Sequence, residues 1–188
     1  MTTGTRRDPL LGYNFSVSIC DSGGAGADGS GLTTFVLSTA GVTTSAGFSE
    51  ISGLEMTMDV EEYPAGGQNG GVLKFPGRMK WSNLVMKRGV IPIRDYTDRS
   101  DLGTWIQTFI DGNGIRKDGV ITLLNESHTP QLVWGWRRGL PLRWTGATMN
   151  AAQSQIAVEQ IEISHEGLYQ MVGGGLLGQA LSGLVSAL

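Results

Sequence analysis

The sequence has little of what most enzymes and metal sites are built from. It holds one cysteine and two histidines. Cys20, His128 and His165 cannot make a zinc site of four cysteines, or of two cysteines and two histidines, within one chain, and no intrachain disulfide can form. A lone cysteine suits a reducing compartment. Charged residues are 16%, below the usual ~25%, and 14 basic against 17 acidic side chains leave a net charge of −3. That balance argues against affinity gained by neutralising many phosphates. Six prolines exclude a collagen-like or proline-rich chain. There is no run of about 18 apolar residues to span a bilayer. Met1 to Pro9 has no apolar core, so no secretory signal is expected. The Asn14-Phe-Ser16 and Asn125-Glu-Ser127 sequons then read as chance matches. A Walker A loop and a Gly-x-Ser-x-Gly nucleophile elbow are both missing.

Glycine is plentiful, 29 of 188 residues, about twice its usual share. The length fits one domain. Tyr13, Phe15, Val17 and Ile19 alternate with polar residues, as in a half-buried strand. Residues 21–46 begin with a patternless Gly/Asp stretch and read as a loop insertion, with a short added strand at Thr34–Ser38. Leu54, Met56, Met58 and Val60 alternate with Glu55, Thr57, Asp59 and Glu61, the clearest strand of the chain. A glycine-rich stretch, 64–71, and then Val72–Phe75 predict a hairpin with a long tip. Trp81–Arg88 reads as a further strand. Leu102, Trp105, Ile106, Phe109 and Ile110 share one face of a helix. Thr97 or Ser100 is its expected cap, Asp98 and Asp101 complement its dipole, and Gly112 stops it. Strands resume at Val120–Leu124, Leu132–Trp136 and Leu142–Trp144. From Ile156 to His165 the alternation slips, which predicts a bulge near Glu159–Gln160. The sum is a mainly β domain, a barrel or sandwich with one flanking helix, over residues 1–172. Residues 173–188 follow a Gly173-Gly174-Gly175 hinge. They read as a short helical extension whose stripe of Leu177, Leu181, Leu184 and Leu188 docks on a partner or on the domain itself.

The chemistry on offer is thin. Glu55, Asp59 and Glu61, with Glu50 and Glu62 nearby, provide carboxylates at glycosidase-like spacing. They also alternate on one strand face, the ordinary solvated face of a half-buried strand. Trp134 to Trp144 interleaves arginines and tryptophans, which suits base stacking but equally suits a strand, a turn and a strand with tryptophans inside. Asp111-Gly-Asn113-Gly starts like a calcium loop but has Thr122 where the twelfth-position carboxylate belongs. No catalytic group, cofactor or metal is therefore assigned, and the expected class is not an enzyme. Long strands leave edges that template pairing with other chains. Closure with copies of itself removes them; a monomeric β-barrel that binds a small ligand is the competing solution.

Six stretches, in order over residues 8–168, resemble the tail-tube family of contractile phage tails and related injection systems. They are Asp8 to Val17, Gly47-Phe-Ser-Glu-Ile-Ser-Gly-Leu54, Glu61-Glu-Tyr-Pro-Ala-Gly-Gly-Gln-Asn69, Lys74-Phe-Pro-Gly77, Met86-Lys-Arg-Gly89, and Ile161-Glu-Ile-Ser-His-Glu-Gly-Leu168. The resemblance implies a β-barrel-like subunit in stacked sixfold rings, a hollow tube inside a contractile sheath. The haemolysin-coregulated protein of type VI secretion shares that architecture. The hairpin with Glu61, Tyr63, Gly66, Gly67, Asn69 and Gly70 would engage the adjacent ring. Glu55, Thr57, Asp59 and Glu61 are the candidate lumen face, and Leu102, Trp105, Ile106 and Phe109 the helix core face. Implied partners are copies of the chain, the sheath, baseplate and spike or hub proteins, and a cargo effector or DNA in the lumen. Assembly would take place in the cytoplasm, with no direct membrane span. The insertion and the C-terminal extension depart from the plain pattern and suit a tube-initiator ring at the baseplate.

Overall fold

The computed structural model describes residues 9–22, 44–64, 66–67, 70–92 and 101–172. Thr34–Ser38, Asn69, and the stripe of Leu177, Leu181, Leu184 and Leu188 lie outside the described residues. In chain order the elements are β1 (Phe15–Asp21), β2 (Thr44–Ala46), β3 (Phe48–Ser52), β4 (Met56–Tyr63), β5 (Leu73–Trp81), β6 (Leu84–Gly89), α1 (Leu102–Ile110), β7 (Lys117–Leu124), β8 (Pro130–Thr145), β9 (Val158–Ser164) and β10 (Gly167–Val172).

Eight strands run in the order β2-β1-β7-β8-β9-β6-β3, with β10 also paired to β8, and every pairing is antiparallel. β8 joins the two halves. Its first part pairs with β7 and β10, its second with β9. The two runs expected around Trp134–Trp144 are thus one strand with a corner rather than strand, turn and strand. Arg138 takes φ 50° within the β7–β8 register shift, and a second shift against β9 follows at Leu142. Bulges of this kind bend a strand while keeping most of its pairing. Trp136 is fully buried, whereas Trp144 lies 42% exposed instead of in the core.

Alternation selects the core. Val17 and Ile19, Leu84 and Met86, Ile161 and Ile163 point inward from β1, β6 and β9, and meet Phe48, Ile121, Trp136 and Leu168. Leu102 and Trp105 of α1 close this cluster, with Phe109 packed against it; Ile106 is half-buried. Ile110, expected on the same face, is exposed at the last residue of the helix. The cap is Asp101, whose carboxylate accepts from the Thr104 backbone N–H at 2.7 Å, not Thr97 or Ser100. Gly112, at φ 77°, follows the C-cap in the left-handed conformation that favours glycine.

Three further boundaries differ from the sequence reading. The first strand starts at Phe15, leaving Tyr13 exposed. Trp81–Arg88 is divided by Ser82-Asn83, which passes the chain from β5 to β6. β9 pairs with β6 without a bulge. Ile156 precedes the strand, and Glu159, Ile161 and Ile163 point inward together. The apparent slip is a glutamate standing at an apolar position.

Candidate assembly surface

That glutamate has a partner built for it. Arg88 lies directly across from Glu159 in the β6–β9 register. Its Nε donates to Glu159 Oε1 at 2.6 Å, and both side chains are almost wholly buried. The other Glu159 oxygen accepts from Trp144 Nε1 at 2.9 Å. A second Arg88 nitrogen lies 3.8 Å from Asp101, the α1 cap. The network ties helix to sheet, and sequence reasoning missed it. The signal was available: Leu84-x-Met86-x-Arg88 and Glu159-x-Ile161-x-Ile163 each carry one charge at an inward position, with opposite signs.

The hairpin β4–β5 stands apart from this body and forms a separate two-stranded sheet. Strands of eight and nine residues project it roughly 25–30 Å. None of its side chains joins the core cluster. Its base is fixed where the stretches singled out in the sequence meet. Gly53 takes φ 89°, and a Cβ there would overlap the Asn83 carbonyl oxygen. Ser82 donates its hydroxyl to Glu55 at 2.7 Å, and Asn83 donates to Glu162 at 2.7 Å. His165 Nε2 lies 3.1 Å from the Ser82 carbonyl. A carbonyl only accepts, so Nε2 carries the proton.

The register defines two faces of the hairpin. Met56 opposes Trp81, Met58 opposes Met79 and Glu62 opposes Lys74 on one face. Thr57 opposes Lys80, Glu61 opposes Phe75 and Tyr63 opposes Leu73 on the other. Between Met58 and Val60 one extra residue enters β5, and Gly77 packs tightly on Asp59 there, where a Cβ would lie 2.9 Å from its carbonyl oxygen. Glu55, Thr57 and Glu61 are exposed and Asp59 is half-buried, so the candidate lumen face is solvated. It is not purely acidic, because Lys80 pairs with Asp59 at 2.7 Å. Glu62 pairs with Lys74 and Glu50 with Lys87. Gly66, Gly67 and Gly70 are exposed at the tip, Gly67 with φ 88°.

Concavities also lie on the body of the subunit. A groove of about 490 Å³ lies between Leu10, Leu11, Tyr13 and the β7–β8 turn. A smaller one, about 200 Å³, lies beside Trp105, where Lys117 Nζ sits 5.3 Å from the ring centroid. Among the described residues no group of three or more His, Cys, Asp or Glu could hold a metal ion, and no helix is long and apolar enough to cross a membrane.

Residues 12–169 match the T4-like virus tail tube protein gp19 family. The chain belongs to that family. No curated protein matches it. Among solved structures, a chain in the cryo-EM structure of the anti-feeding prophage baseplate is similar at a TM-score of 0.67 and 21% identity, over 89% of this chain and 98% of that one. A chain of the sheath–tube complex of the extracellular contractile injection system PVC gives 0.62 and 25%, over 87% and 92%. A chain from the anti-feeding prophage cap gives 0.65 and 24%, over 92% and 99%. Among the described residues, this member of the tail tube family therefore has a mainly β tail-tube fold with one helix.

His165 makes the hairpin base pH-sensitive. Burial pushes its pKa below the ordinary 6.5, against the Ser82 and Gly167 backbone, which favour the charged ring. The unfolded chain therefore takes up this proton first as pH falls. Stability is lost as pH drops from about 6.5 toward the lower folded value. His165→Gln keeps a donor toward Ser82 without titrating. The stability gap between wild type and this variant should narrow from pH 7 to pH 5 in urea titrations; parallel curves would remove His165 from the pH response.

Proposed function

We propose that this chain is a structural, non-enzymatic subunit of the tube of a contractile tail or injection system. It forms stacked hexameric rings around a channel through which an effector or DNA passes. The observation that carries the reading is the bare hairpin β4–β5: two strands outside the core, apolar side chains exposed, in a member of the tail tube family. An isolated two-stranded sheet is marginal in water, so its strands need neighbours. Sheath and baseplate or hub proteins are the further partners. The hairpin tip at Glu61, Tyr63, Gly66, Gly67, Asn69 and Gly70 reaches the adjacent ring, and Glu55, Thr57 and Asp59 face the channel. A tube-initiator ring is the second reading, favoured by the similarity to a chain from a baseplate structure.

Light scattering and negative-stain imaging of the purified chain test this directly. Rings and tubes are expected at high concentration, and a solitary subunit at all concentrations would reject the proposal. Shortening residues 64–71 should give rings that no longer stack while the subunit stays folded. An unchanged distribution of tube lengths would take the tip out of stacking.

A further inference from the structure

Ahead of β1, residues 9–14 run beside the β7–β8 turn, and the groove of about 490 Å³ lies between the two. This strap is pinned to the turn. The Leu124 backbone N–H donates to the Asn14 carbonyl at 2.9 Å, and Asn14 Nδ2 donates to the Asn125 carbonyl at 2.7 Å. Asn125 Oδ1 accepts from the Ser127 and Thr129 backbone N–H groups at 3.0 and 2.8 Å, which holds the turn in one shape. Leu10, Leu11 and Tyr13 line the groove and are 42%, 55% and 69% exposed. Three large apolar side chains together on a pinned backbone form an unpartnered surface, unlike single leucines scattered over a body.

The sheet register shows which part of the chain arrives beside it. Val172, the last residue of β10, lies opposite Leu132 of β8, and Leu123 of β7 lies opposite Leu132 on its other side. Two strand spacings, roughly 10 Å, separate the end of β10 from Leu123, the neighbour in sequence of the groove residue Leu124. Gly173-Gly174-Gly175 follows in the sequence and spans roughly 10 Å when extended. Residues 177–188 come next. They carry no charged side chain, and Leu177, Leu181, Leu184 and Leu188 recur at the spacing of one helix face. A helix of that length, about 18 Å, is marginal in water unless its stripe is covered. The other segments outside the described residues match the groove less well. Residues 23–43 leave after Ser22, whose N–H donates to the Arg116 carbonyl at the far end of the β1–β7 pair, and return at Thr44 opposite Ile19. Residues 93–100 end at Asp101, beside Arg88 in the other half of the sheet. Residues 1–8 adjoin the groove but hold Arg6, Arg7 and three threonines in place of an apolar stripe.

We infer that residues 177–188 lie in the groove of their own subunit, with the leucine stripe against Leu10, Leu11 and Tyr13 and with Gln179 and Ser186 turned to solvent. The triple glycine carries the chain past the ends of β8 and β7. Residues 9–14 and 177–188 are then clasped together at one end of the sheet. The extension serves its own subunit and does not reach for a baseplate protein.

The test is a cross-link in the full chain. Leu11→Cys combined with Leu181→Cys should close an intrachain disulfide on mild oxidation, seen as a faster monomer band on a non-reducing gel. The native Cys20 is buried, and each single variant controls for it. Ile110→Cys combined with Leu181→Cys should stay open, because α1 packs beside Asp21, at the far end of β1. Adding Leu177→Glu and Leu184→Glu should abolish the first cross-link, whereas adding Gln179→Glu and Ser186→Glu should leave it. If Leu11→Cys misfolds, Tyr13→Cys replaces it. Loss of the faster band in both groove variants, or equal cross-linking to Ile110, would overturn the inference. So would a dimer band from a mixture of the two single variants, which would seat the segment on a neighbouring copy. The gel reads the segment whether or not rings form, so its failure is distinct from failure of the tube reading.

Discussion

Replacing Arg88 by alanine is expected to destabilise the subunit by about 3–5 kcal/mol, a large part of the roughly 5–15 kcal/mol that holds a domain together. The substitution removes the cation that faces Glu159 at 2.6 Å inside the core. The carboxylate left behind keeps Trp144 as a donor but has lost its charge partner where water cannot replace it. Asp101 loses its nearby cation as well, so the start of α1 is weakened with the sheet. Glu159→Ala should also destabilise the subunit, because it removes the carboxylate 2.6 Å from the buried guanidinium. Changing both together, Arg88→Met with Glu159→Leu, should recover most of the loss, since two apolar side chains of similar volume need no partner. Urea unfolding of the two single variants and the double variant measures this. Single variants within about 1 kcal/mol of wild type would show that the pair is solvated and not part of the core.

Gly53→Ala should be the most damaging small change at the hairpin base. Two penalties combine there. The backbone sits at φ 89°, where a side chain costs about 1–2 kcal/mol, and the added methyl would overlap the Asn83 carbonyl oxygen. That oxygen belongs to the backbone and cannot rotate away. Relief requires moving Ser82-Asn83, which also carries the contacts to Glu55, Glu162 and His165. A total on the order of 3 kcal/mol follows from strain plus overpacking. Gly67→Ala isolates the first penalty. It has nearly the same φ, 88°, but open space around it, and should lose only the conformational part. Equal effects at the two glycines, read from thermal unfolding, would show that close approach to Asn83 has no weight.

The hairpin illustrates how far a one-dimensional pattern reaches. Strict alternation from Met56 to Val60 marks a strand, because side chains alternate across a pleat. The glycine-rich stretch marks its turn. The same pattern places Glu55, Thr57 and Asp59 on one face. It does not reveal that β4 and β5 leave the main sheet, since period two is the same for a strand packed on a core and one waiting for a neighbour. The β5 bulge is invisible in the raw sequence, where Leu73, Phe75, Met79 and Trp81 keep one parity. Only the cross-strand register exposes it. Around Glu159 the pattern misleads in the other direction, because a buried charge looks like a break in the alternation.

Composition and local order alone thus fixed the class of molecule: β-rich, with a flanking helix over Leu102–Ile110, poor in catalytic and metal-binding groups, and bearing stretches of a tail-tube subunit. Those properties depend on residues near in sequence, through the pleat, the helical turn and the conformational freedom of glycine. The tertiary structure decided the rest. It paired Arg88 with Glu159 across 71 residues, bent β8 between the two halves of one sheet, and left β4–β5 outside the core with its apolar surface split between two sides. Each of these depends on which strands become neighbours and in what register, a choice made by burial of the whole core rather than by any segment of it.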